Sequence, residues 1–126
     1  MSATEGSCSL LLVEDEMLLA MLIEHVLCDS GYRVLKAARL PTALRLADTE
    51  RFDAALLDIN LAGTPVFPLA EVLRARGIPF LFTSGYGNHG LPPAYSEHPM
   101  LEKPYSMEQL LLAVKTLLDG ATSSPG

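Results

Sequence analysis

The sequence has no tryptophan, only two cysteines and few basic residues, and each shortage excludes a class of protein. Of its 126 residues, nine are Lys or Arg and fifteen are Asp or Glu, which gives a formal net charge of −6. This charge disfavours nucleic acids and anionic membranes as partners. Cys8 and Cys28 are too few for a disulfide framework or a structural zinc site. Because both lie among apolar neighbours, we expect two small core thiols in a reducing cytoplasm.

Long apolar stretches are also absent. The longest unbroken run, Met17–Ile23, is far short of the roughly 20 residues that cross a bilayer, and no basic segment precedes an apolar one at the N-terminus. With 49% hydrophobic and 19% charged residues, the composition is that of a folded globular chain, and the length suits one domain. We expect a short N-terminal lead at 1–8, a cytoplasmic domain at 9–119 and a flexible tail at 120–126.

Short apolar runs alternate with longer segments of helical periodicity. The runs predicted as strands are Leu10–Val13, Arg33–Ala37, Ala54–Leu57, Pro79–Thr83 and Met100–Glu102. The segments predicted as helices are Glu16–Asp29, Pro41–Glu50, Val66–Arg76 and Ser106–Asp119. Strands that alternate with helices predict an α/β fold, in which right-handed crossovers connect the strands of a parallel sheet.

Side-chain spacing adds detail to two of these helices. The first carries apolar residues at helical spacing: Leu18, Met21, Leu22 and Val26. The last opens with Ser106 and Gln109, which match a capping box, and Gly120 is expected to end it. The segment 85–99, GYGNHGLPPAYSEHP, is too rich in glycine and proline for a stable long helix. It is predicted to be a mobile loop with at most a turn or two.

Polar residues follow four of the predicted strands at the point where each one ends. They are Glu14 and Asp15, then Asp58, then Thr83 and Ser84, and finally Lys103. In an open α/β sheet the ligand site lies outside the carboxyl ends of the strands, so these groups are expected to meet. Clustered acids repel one another, and a proton or a cation relieves the repulsion. Oxygen ligands with acidic charge suit Mg²⁺.

Four motifs, in this order and spacing, give the sequence a family resemblance: VEDE after the first strand, LLDIN at the third, PFLFTSGY at the fourth and EKPY at the fifth. From about Leu10 to Leu118 the chain resembles the receiver domain of two-component response regulators. The resemblance implies a flavodoxin-like, doubly wound sheet of five parallel strands in the order 2-1-3-4-5. It also implies a sensor histidine kinase or histidine phosphotransfer protein as partner, and a downstream protein target.

The resemblance further implies a role for each matching residue. Asp58 would be the phosphoacceptor that forms an acyl phosphate. Asp15 and Asp58 would ligate Mg²⁺ together with the backbone carbonyl of Asn60, and Glu14 would act through a coordinated water. Lys103 would pair with a phosphoryl oxygen, and its peptide bond to Pro104 would be cis.

The hydroxyl that contacts the phosphoryl group has two candidates. Ser84 and Thr83 are adjacent, and because side chains alternate along a strand only one of them can face the site. Registration against the family from Pro79 favours Ser84.

The chain also departs from the usual receiver pattern. Ala62 and Val66 stand where receivers tend to have proline and glycine, and the glycine- and proline-rich segment 85–99 replaces the fourth helix, which is therefore expected to be degenerate or mobile. These departures, together with PFLFTSGYG, resemble the atypical receiver subclass nicknamed FAT GUY. Tyr86 and Tyr105 become the candidate switch aromatics, with packing against the last helix as the alternative for Tyr105.

Several functions remain open on these residues. The first is a stand-alone receiver that accepts a phosphoryl group and is not an enzyme; Met1 and the polar lead SATEGS mildly favour this. The second is a receiver segment of a hybrid sensor kinase. A haloacid-dehalogenase-like phosphohydrolase is disfavoured because Asn60 stands where that family needs an acid. A flavodoxin-like nucleotide or flavin binder is disfavoured because no glycine-rich loop follows the first strand.

Overall fold

The computed structural model describes residues 8–61, 63–85, 92–95 and 98–123. In chain order the strands are β1 (Ser9–Val13), β2 (Arg33–Ala37), β3 (Ala54–Asp58), β4 (Asn60–Leu61), β5 (Thr64–Pro65), β6 (Phe80–Ser84) and β7 (Met100–Glu102). The α-helices are α1 (Met17–Asp29), α2 (Leu40–Thr49), α3 (Phe67–Ala75) and α4 (Met107–Ser123). The predicted elements are therefore present, with ends that differ by at most four residues.

Five strands form one parallel sheet in the order β2-β1-β3-β6-β7. This confirms the flavodoxin-like order expected from the sequence, since β6 and β7 are the fourth and fifth strands of the sheet. β1 and β3 lie at its centre because their apolar runs are long enough to be covered on both faces. Within the described residues, none of the helices combines the length and the apolar character that a bilayer span requires.

The two faces of the sheet each bury a separate core. Leu10 and Leu12 of β1 pack with α1 and α4, whereas Leu11 and Val13 pack with α2 and α3. All four side chains are at most 2% exposed. Burial of one such side chain stabilises the fold by roughly 1.5–3 kcal/mol, so the central strands hold the sheet edge in place.

The apolar residues whose spacing predicted α1 are mostly not the ones that the helix buries. Leu18, Met21 and Leu22 are 78%, 51% and 47% exposed, and the helix buries Ala20, Ile23 and Leu27 instead. The segment MLLAMLIEHVLCD is apolar on nearly every side, so its periodicity does not select one face. Cys28 lies on the exposed side of the same helix and Cys8 is half-buried, so the expectation of two core thiols is wrong for Cys28.

The ends of α4 give one confirmed and one wrong prediction. The Gln109 N–H donates to Ser106 Oγ at 3.0 Å, and the Ser106 N–H donates to Gln109 Oε1 at 2.8 Å, which is the predicted capping box. Gly120, however, does not end the helix, which continues to Ser123. A glycine inside a helix costs only about 1 kcal/mol relative to alanine, so it can be accommodated within a longer helix.

A small hairpin that the sequence did not predict follows β3. β4 and β5 pair antiparallel, and Gly63 between them has a φ of +87°, which glycine adopts without steric cost. The Val66 N–H donates to the Ile59 carbonyl at 3.0 Å and ties the hairpin to the end of β3. The departure at Ala62 falls outside the described residues.

Of the segment 85–99, the structure describes residues 85, 92–95 and 98–99. In this part the chain forms one 3₁₀ turn, Pro93–Tyr95, which agrees with the expectation of at most a turn or two. Tyr86 and His89 lie outside the described residues, and the mobility of the loop stays a prediction. The turn is held by Tyr95, whose side chain is only 2% exposed.

Aromatic rings enclose Tyr95 between β6 and α3. Its ring stacks on Phe67 with centroids 5.8 Å apart and meets Phe82 edge-on at 5.6 Å. The Tyr95 hydroxyl donates a hydrogen bond to Glu71, and the guanidinium carbon of Arg74 lies 5.5 Å from the ring centroid. A single side chain therefore anchors the turn to α3.

Substitution of Tyr95 is expected to destabilise the fold. Tyr95→Ala removes a buried ring and should lower the free energy of unfolding by roughly 3–5 kcal/mol. Tyr95→Phe loses only the hydrogen bond to Glu71 and should cost about 1 kcal/mol. Urea denaturation of both variants measures these values. Equal stability of Tyr95→Ala and the wild type would mean that the turn is not anchored by this ring.

Candidate functional site

The parallel sheet brings its polar strand ends to one edge. Glu14 and Asp15 follow β1, Asp58 ends β3, Ser84 ends β6, and Lys103 follows β7. Because the strands run in the same direction, their carboxyl ends share this edge. The interstrand hydrogen bonding continues up to the edge, where the Lys103 N–H donates to the Ser84 carbonyl at 2.8 Å and the Ile59 N–H to the Thr83 carbonyl at 3.0 Å.

Three carboxylates meet at the centre of the site. Glu14, Asp15 and Asp58 each offer an oxygen, and the three atoms lie within 4.8 Å of one another. Glu14 is 3% exposed and Asp58 is 7% exposed, whereas Asp15 is half-buried. At about 4 Å, two like charges repel by roughly 4 kcal/mol at an effective dielectric constant near 20. The arrangement therefore requires positive charge or protons.

Lys103 supplies positive charge from β7. Its Nζ lies 3.2 Å from Glu14 Oε1 and 3.3 Å from Asp58 Oδ2. Partial burial disfavours the ammonium group, but the attraction of Asp58 and Glu14 outweighs it and raises the pKa of Lys103. The Lys103–Pro104 peptide bond is cis, as the resemblance implied.

Despite the nearby ammonium group of Lys103, the pKa of Glu14 is raised above its ordinary value. Burial, followed by repulsion from Asp58, raises the pKa of Glu14 to about 7. The Glu16 N–H, which donates to Glu14 Oε2 at 3.1 Å, and Lys103 both oppose the increase. Three carboxylates that face one ammonium group form a donor set suited to a hard divalent cation. The residues present therefore fit Mg²⁺.

The two hydroxyl candidates occupy different positions. Thr83 lies opposite Asp58 in the pairing of β3 with β6, and its side chain lines a small interior pocket together with Glu14 and Tyr105. Ser84 is the last residue of β6 and is 3% exposed. Asn60 begins β4, two residues after Asp58, and the expected use of its carbonyl stays a prediction.

Of the two candidate switch aromatics, Tyr105 and Tyr86, the described residues include only Tyr105. Tyr105 packs against the core between α1 and α4, as the packing alternative expected, and its hydroxyl is buried with no hydrogen-bond partner in the described part of the chain. Burial, followed by the charges of Glu14 and Asp58, raises the pKa of this hydroxyl. Tyr86 lies outside the described residues. His25 is exposed on α1.

The sequence interpretation missed an apolar surface beside the site. Met17, Leu18, Met21 and Leu22 are between 47% and 78% exposed on α1, the helix that begins directly after the acidic run. We call this group the α1 apolar surface. The available signal was the apolar character of every turn of the helix, since a helix that packs on one side leaves the other side exposed.

Residues 10–115 match the family model of the response regulator receiver domain. The chain belongs to this family. Receiver domains are signalling domains, and this one carries the family's acidic cluster and lysine at the carboxyl edge of its sheet.

Solved structures of receivers resemble the domain over nearly its whole length. SdrG from Sphingomonas melonis Fr1 is 35% identical, with a TM-score of 0.78 over 94% of this chain and 99% of that one. The receiver domain of sensor histidine kinase PA1611 from Pseudomonas aeruginosa PAO1 is 26% identical, with a TM-score of 0.79 over 90% of this chain and 98% of that one. The PA1611 structure contains a magnesium ion coordinated in its active site cleft.

Curated relatives are longer than this receiver. Sensor kinase CckA from Brucella abortus (strain 2308) is 32% identical over 90% of this chain, which spans 13% of CckA. The uncharacterized transcriptional regulatory protein YcbL from Bacillus subtilis (strain 168) is 28% identical over 89% of this chain, which spans 51% of YcbL.

Glu14 makes the stability of the receiver depend on pH. A carboxyl whose pKa rises from 4.5 to about 7 on folding binds its proton more tightly in the folded state. In the absence of divalent ions, stability is therefore lost as the pH rises from about 4.5 through about 7. Glu14→Gln removes this loss and should raise the free energy of unfolding near pH 8 by about 2 kcal/mol.

Thermal and urea unfolding in chelator across this pH range measure the effect. Glu50→Gln, at an exposed glutamate after α2, is the matched control and should keep the wild-type pH dependence. If Glu14→Gln also keeps the wild-type slope, Glu14 is not the group responsible.

Proposed function

We propose that the protein accepts a phosphoryl group on Asp58 from a histidine kinase or a histidine phosphotransfer protein and signals by a change of conformation. The observation that carries the proposal is the position of the Asp58 carboxylate. It is buried among Glu14 and Asp15, and the Lys103 ammonium group lies 3.3 Å from its Oδ2. Phosphoryl transfer to a carboxylate requires positive charge near the reacting oxygens. This environment offers two sources of it, a site suited to a cation and the ammonium group of a lysine.

Mg²⁺ is the proposed cofactor. Asp15 and Asp58 would hold it directly with the Asn60 carbonyl, and Glu14 would hold it through a water. Bound there, it would offset negative charge on the carboxylate and the phosphoryl group and align the two. The three clustered carboxylates and the magnesium-containing PA1611 receiver support this assignment.

In the reaction, an Asp58 carboxylate oxygen attacks phosphorus while the bond from phosphorus to the donor histidine nitrogen breaks. The electron pair of that bond returns to the imidazole, and the product on Asp58 is an acyl phosphate. Lys103 would move toward a phosphoryl oxygen and Ser84 would donate its hydroxyl to another. The position of Thr83 in the interior pocket supports Ser84 as the hydroxyl at the site.

The conformational change is proposed to involve the segment 85–99. Attraction of Ser84 to the phosphoryl group would move the start of this segment, which carries Tyr86 and resembles the FAT GUY subclass. Tyr95 fixes its second half against Phe82 of β6, two residues before Ser84, so displacement at the site can reach the turn. Tyr105 is the second candidate switch residue.

Two settings fit this function. The match to 99% of the solved SdrG chain supports a stand-alone receiver, for which a cytoplasmic location and a downstream protein target are proposed. CckA, of which this chain spans 13%, supports the receiver segment of a hybrid sensor kinase. Phosphotransfer profiling against the kinases and phosphotransfer proteins of the source organism distinguishes them, because a hybrid segment receives phosphate preferentially from the kinase in its own chain.

Asp58→Asn is expected to abolish phosphorylation. The wild type should incorporate about one phosphoryl group per chain from a phosphorylated donor in Mg²⁺, and the variant should fall to background because an amide is not a nucleophile toward phosphorus. Asp48→Asn, at an exposed aspartate of α2, should label as the wild type does. Intact-protein mass spectrometry measures the stoichiometry. Full labelling of Asp58→Asn contradicts the assignment, and continuous release of phosphate from an ester would favour a phosphohydrolase.

The α1 apolar surface is proposed to contact the protein that donates the phosphoryl group. It lies beside the acidic run, and its residues Leu18 and Met21 are 78% and 51% exposed. Exposed apolar groups next to a site that must receive another protein's side chain favour contact with that protein.

Loss of this surface should slow transfer from a protein donor and spare transfer from a small one. Leu18→Gln combined with Met21→Gln is expected to reduce the rate from phosphorylated kinase about 10-fold or more. The rate from acetyl phosphate, a small phosphodonor, should stay within about twofold of the wild type. Leu112→Gln, at a leucine 66% exposed on α4, is the control. Equal loss with both donors would mean that the substitutions damage the site itself.

A further inference from the structure

The hydroxyl of Tyr105 is a buried donor that has no acceptor in the described residues. Tyr105 lines a small interior pocket together with Thr83 and with Glu14, which belongs to the acidic cluster. A buried hydroxyl without a partner costs roughly 1–3 kcal/mol, and a phenylalanine would fill the same space without this cost. The cost indicates that the hydroxyl gains a partner in another state of the protein.

Glu14 is the acceptor that changes its partners. Its carboxylate forms an ion pair with Lys103, whose Nζ lies 3.2 Å from Oε1, and accepts a hydrogen bond from the Glu16 N–H at 3.1 Å. A carboxylate accepts up to about four hydrogen bonds, so Glu14 has capacity for a further donor. In the proposed function Lys103 leaves Glu14 for a phosphoryl oxygen, and the nearly buried carboxylate then loses the ammonium group as a hydrogen-bond donor. Thr83 can accept as well, but it is uncharged and gains nothing from that movement.

We propose that Tyr105 is a positioning residue that donates its hydroxyl to Glu14 when Lys103 moves to the phosphoryl group. Replacement of Lys103 by Tyr105 as the hydrogen-bond donor keeps the Glu14 carboxylate in place at the phosphorylated site. It explains why a tyrosine occupies a largely apolar pocket, and it gives the Lys103-Pro104-Tyr105 segment two donors that serve the same carboxylate in different states. The inference rests on the proposed phosphorylation of Asp58.

Tyr105→Phe tests the proposal, with Tyr32→Phe as the matched control. Tyr32 packs against the same core cluster but precedes β2, at the opposite end of the sheet. Beryllofluoride with Mg²⁺ serves as the probe for the phosphorylated state. Tyr105→Phe should bind beryllofluoride about 10-fold more weakly than the wild type, since hydrogen bonds to charged groups contribute on this scale. Its affinity for Mg²⁺ alone and its melting temperature in chelator should not fall.

A second variant identifies the acceptor. In a Glu14→Gln background the effect of Tyr105→Phe on beryllofluoride affinity should shrink to about twofold or less, because the charged partner is gone. An undiminished effect would assign the hydroxyl to Thr83 and overturn the proposal. Equal weakening by Tyr32→Phe, or equal weakening of Mg²⁺ binding alone, would overturn it too.

Direct observation of the hydroxyl completes the test. In protein with ¹³C at the tyrosine Cζ position, the Tyr105 resonance, assigned by its absence in Tyr105→Phe, should shift on addition of Mg²⁺ and beryllofluoride, and the Tyr32 resonance should not. An unmoved Tyr105 signal in a protein that binds beryllofluoride overturns this inference and leaves the proposed function intact. A wild type that binds no beryllofluoride overturns the proposed function and this inference with it.

Discussion

Three carboxylates and one ammonium group meet at the carboxyl edge of the sheet, and the function proposed for the domain depends on this charge imbalance. Lys103 lies 3.2 Å from Glu14 and 3.3 Å from Asp58, which lowers the repulsion without removing it, as the pKa of about 7 for Glu14 shows. A site in this condition suits a divalent cation. In the proposed function, the binding of metal and the movement of the lysine to a new anion would have the same electrostatic origin.

The apolar core makes such an edge possible. β1 and β3 are buried on both faces, and the interstrand hydrogen bonds run to the last residues before the site. Groups fixed in this way cannot separate to relieve their repulsion, so the hydrophobic energy of the two cores maintains the unfavourable cluster. In the proposed conformational change, the same rigidity would let a small movement at Ser84 act on Phe82 and on the Tyr95 ring packed against it, 5.6 Å between centroids.

Local sequence patterns predicted the structural features that depend only on residues close together in the sequence. The capping box of Ser106 and Gln109 is short-range, and it is confirmed. The choice of which α1 face is buried is long-range: every turn of that helix is apolar, and the shape of the sheet selected Ala20 and Ile23 over Leu18. The Tyr95 anchor could not be predicted for the same reason, since its partners Phe67 and Glu71 are more than twenty residues away in sequence.

The sequence by itself determined the class of fold, the order of its elements and the edge where Glu14, Asp15, Asp58 and Lys103 meet. It could do so because parallel strands carry their final residues to one side of a sheet regardless of how the helices pack. Only the tertiary structure decided which of these groups touch, how deeply Glu14 is buried and that, among the described residues, the buried Tyr105 hydroxyl has no hydrogen-bond partner. Those properties depend on distances and solvent exclusion between distant segments, which no local pattern encodes.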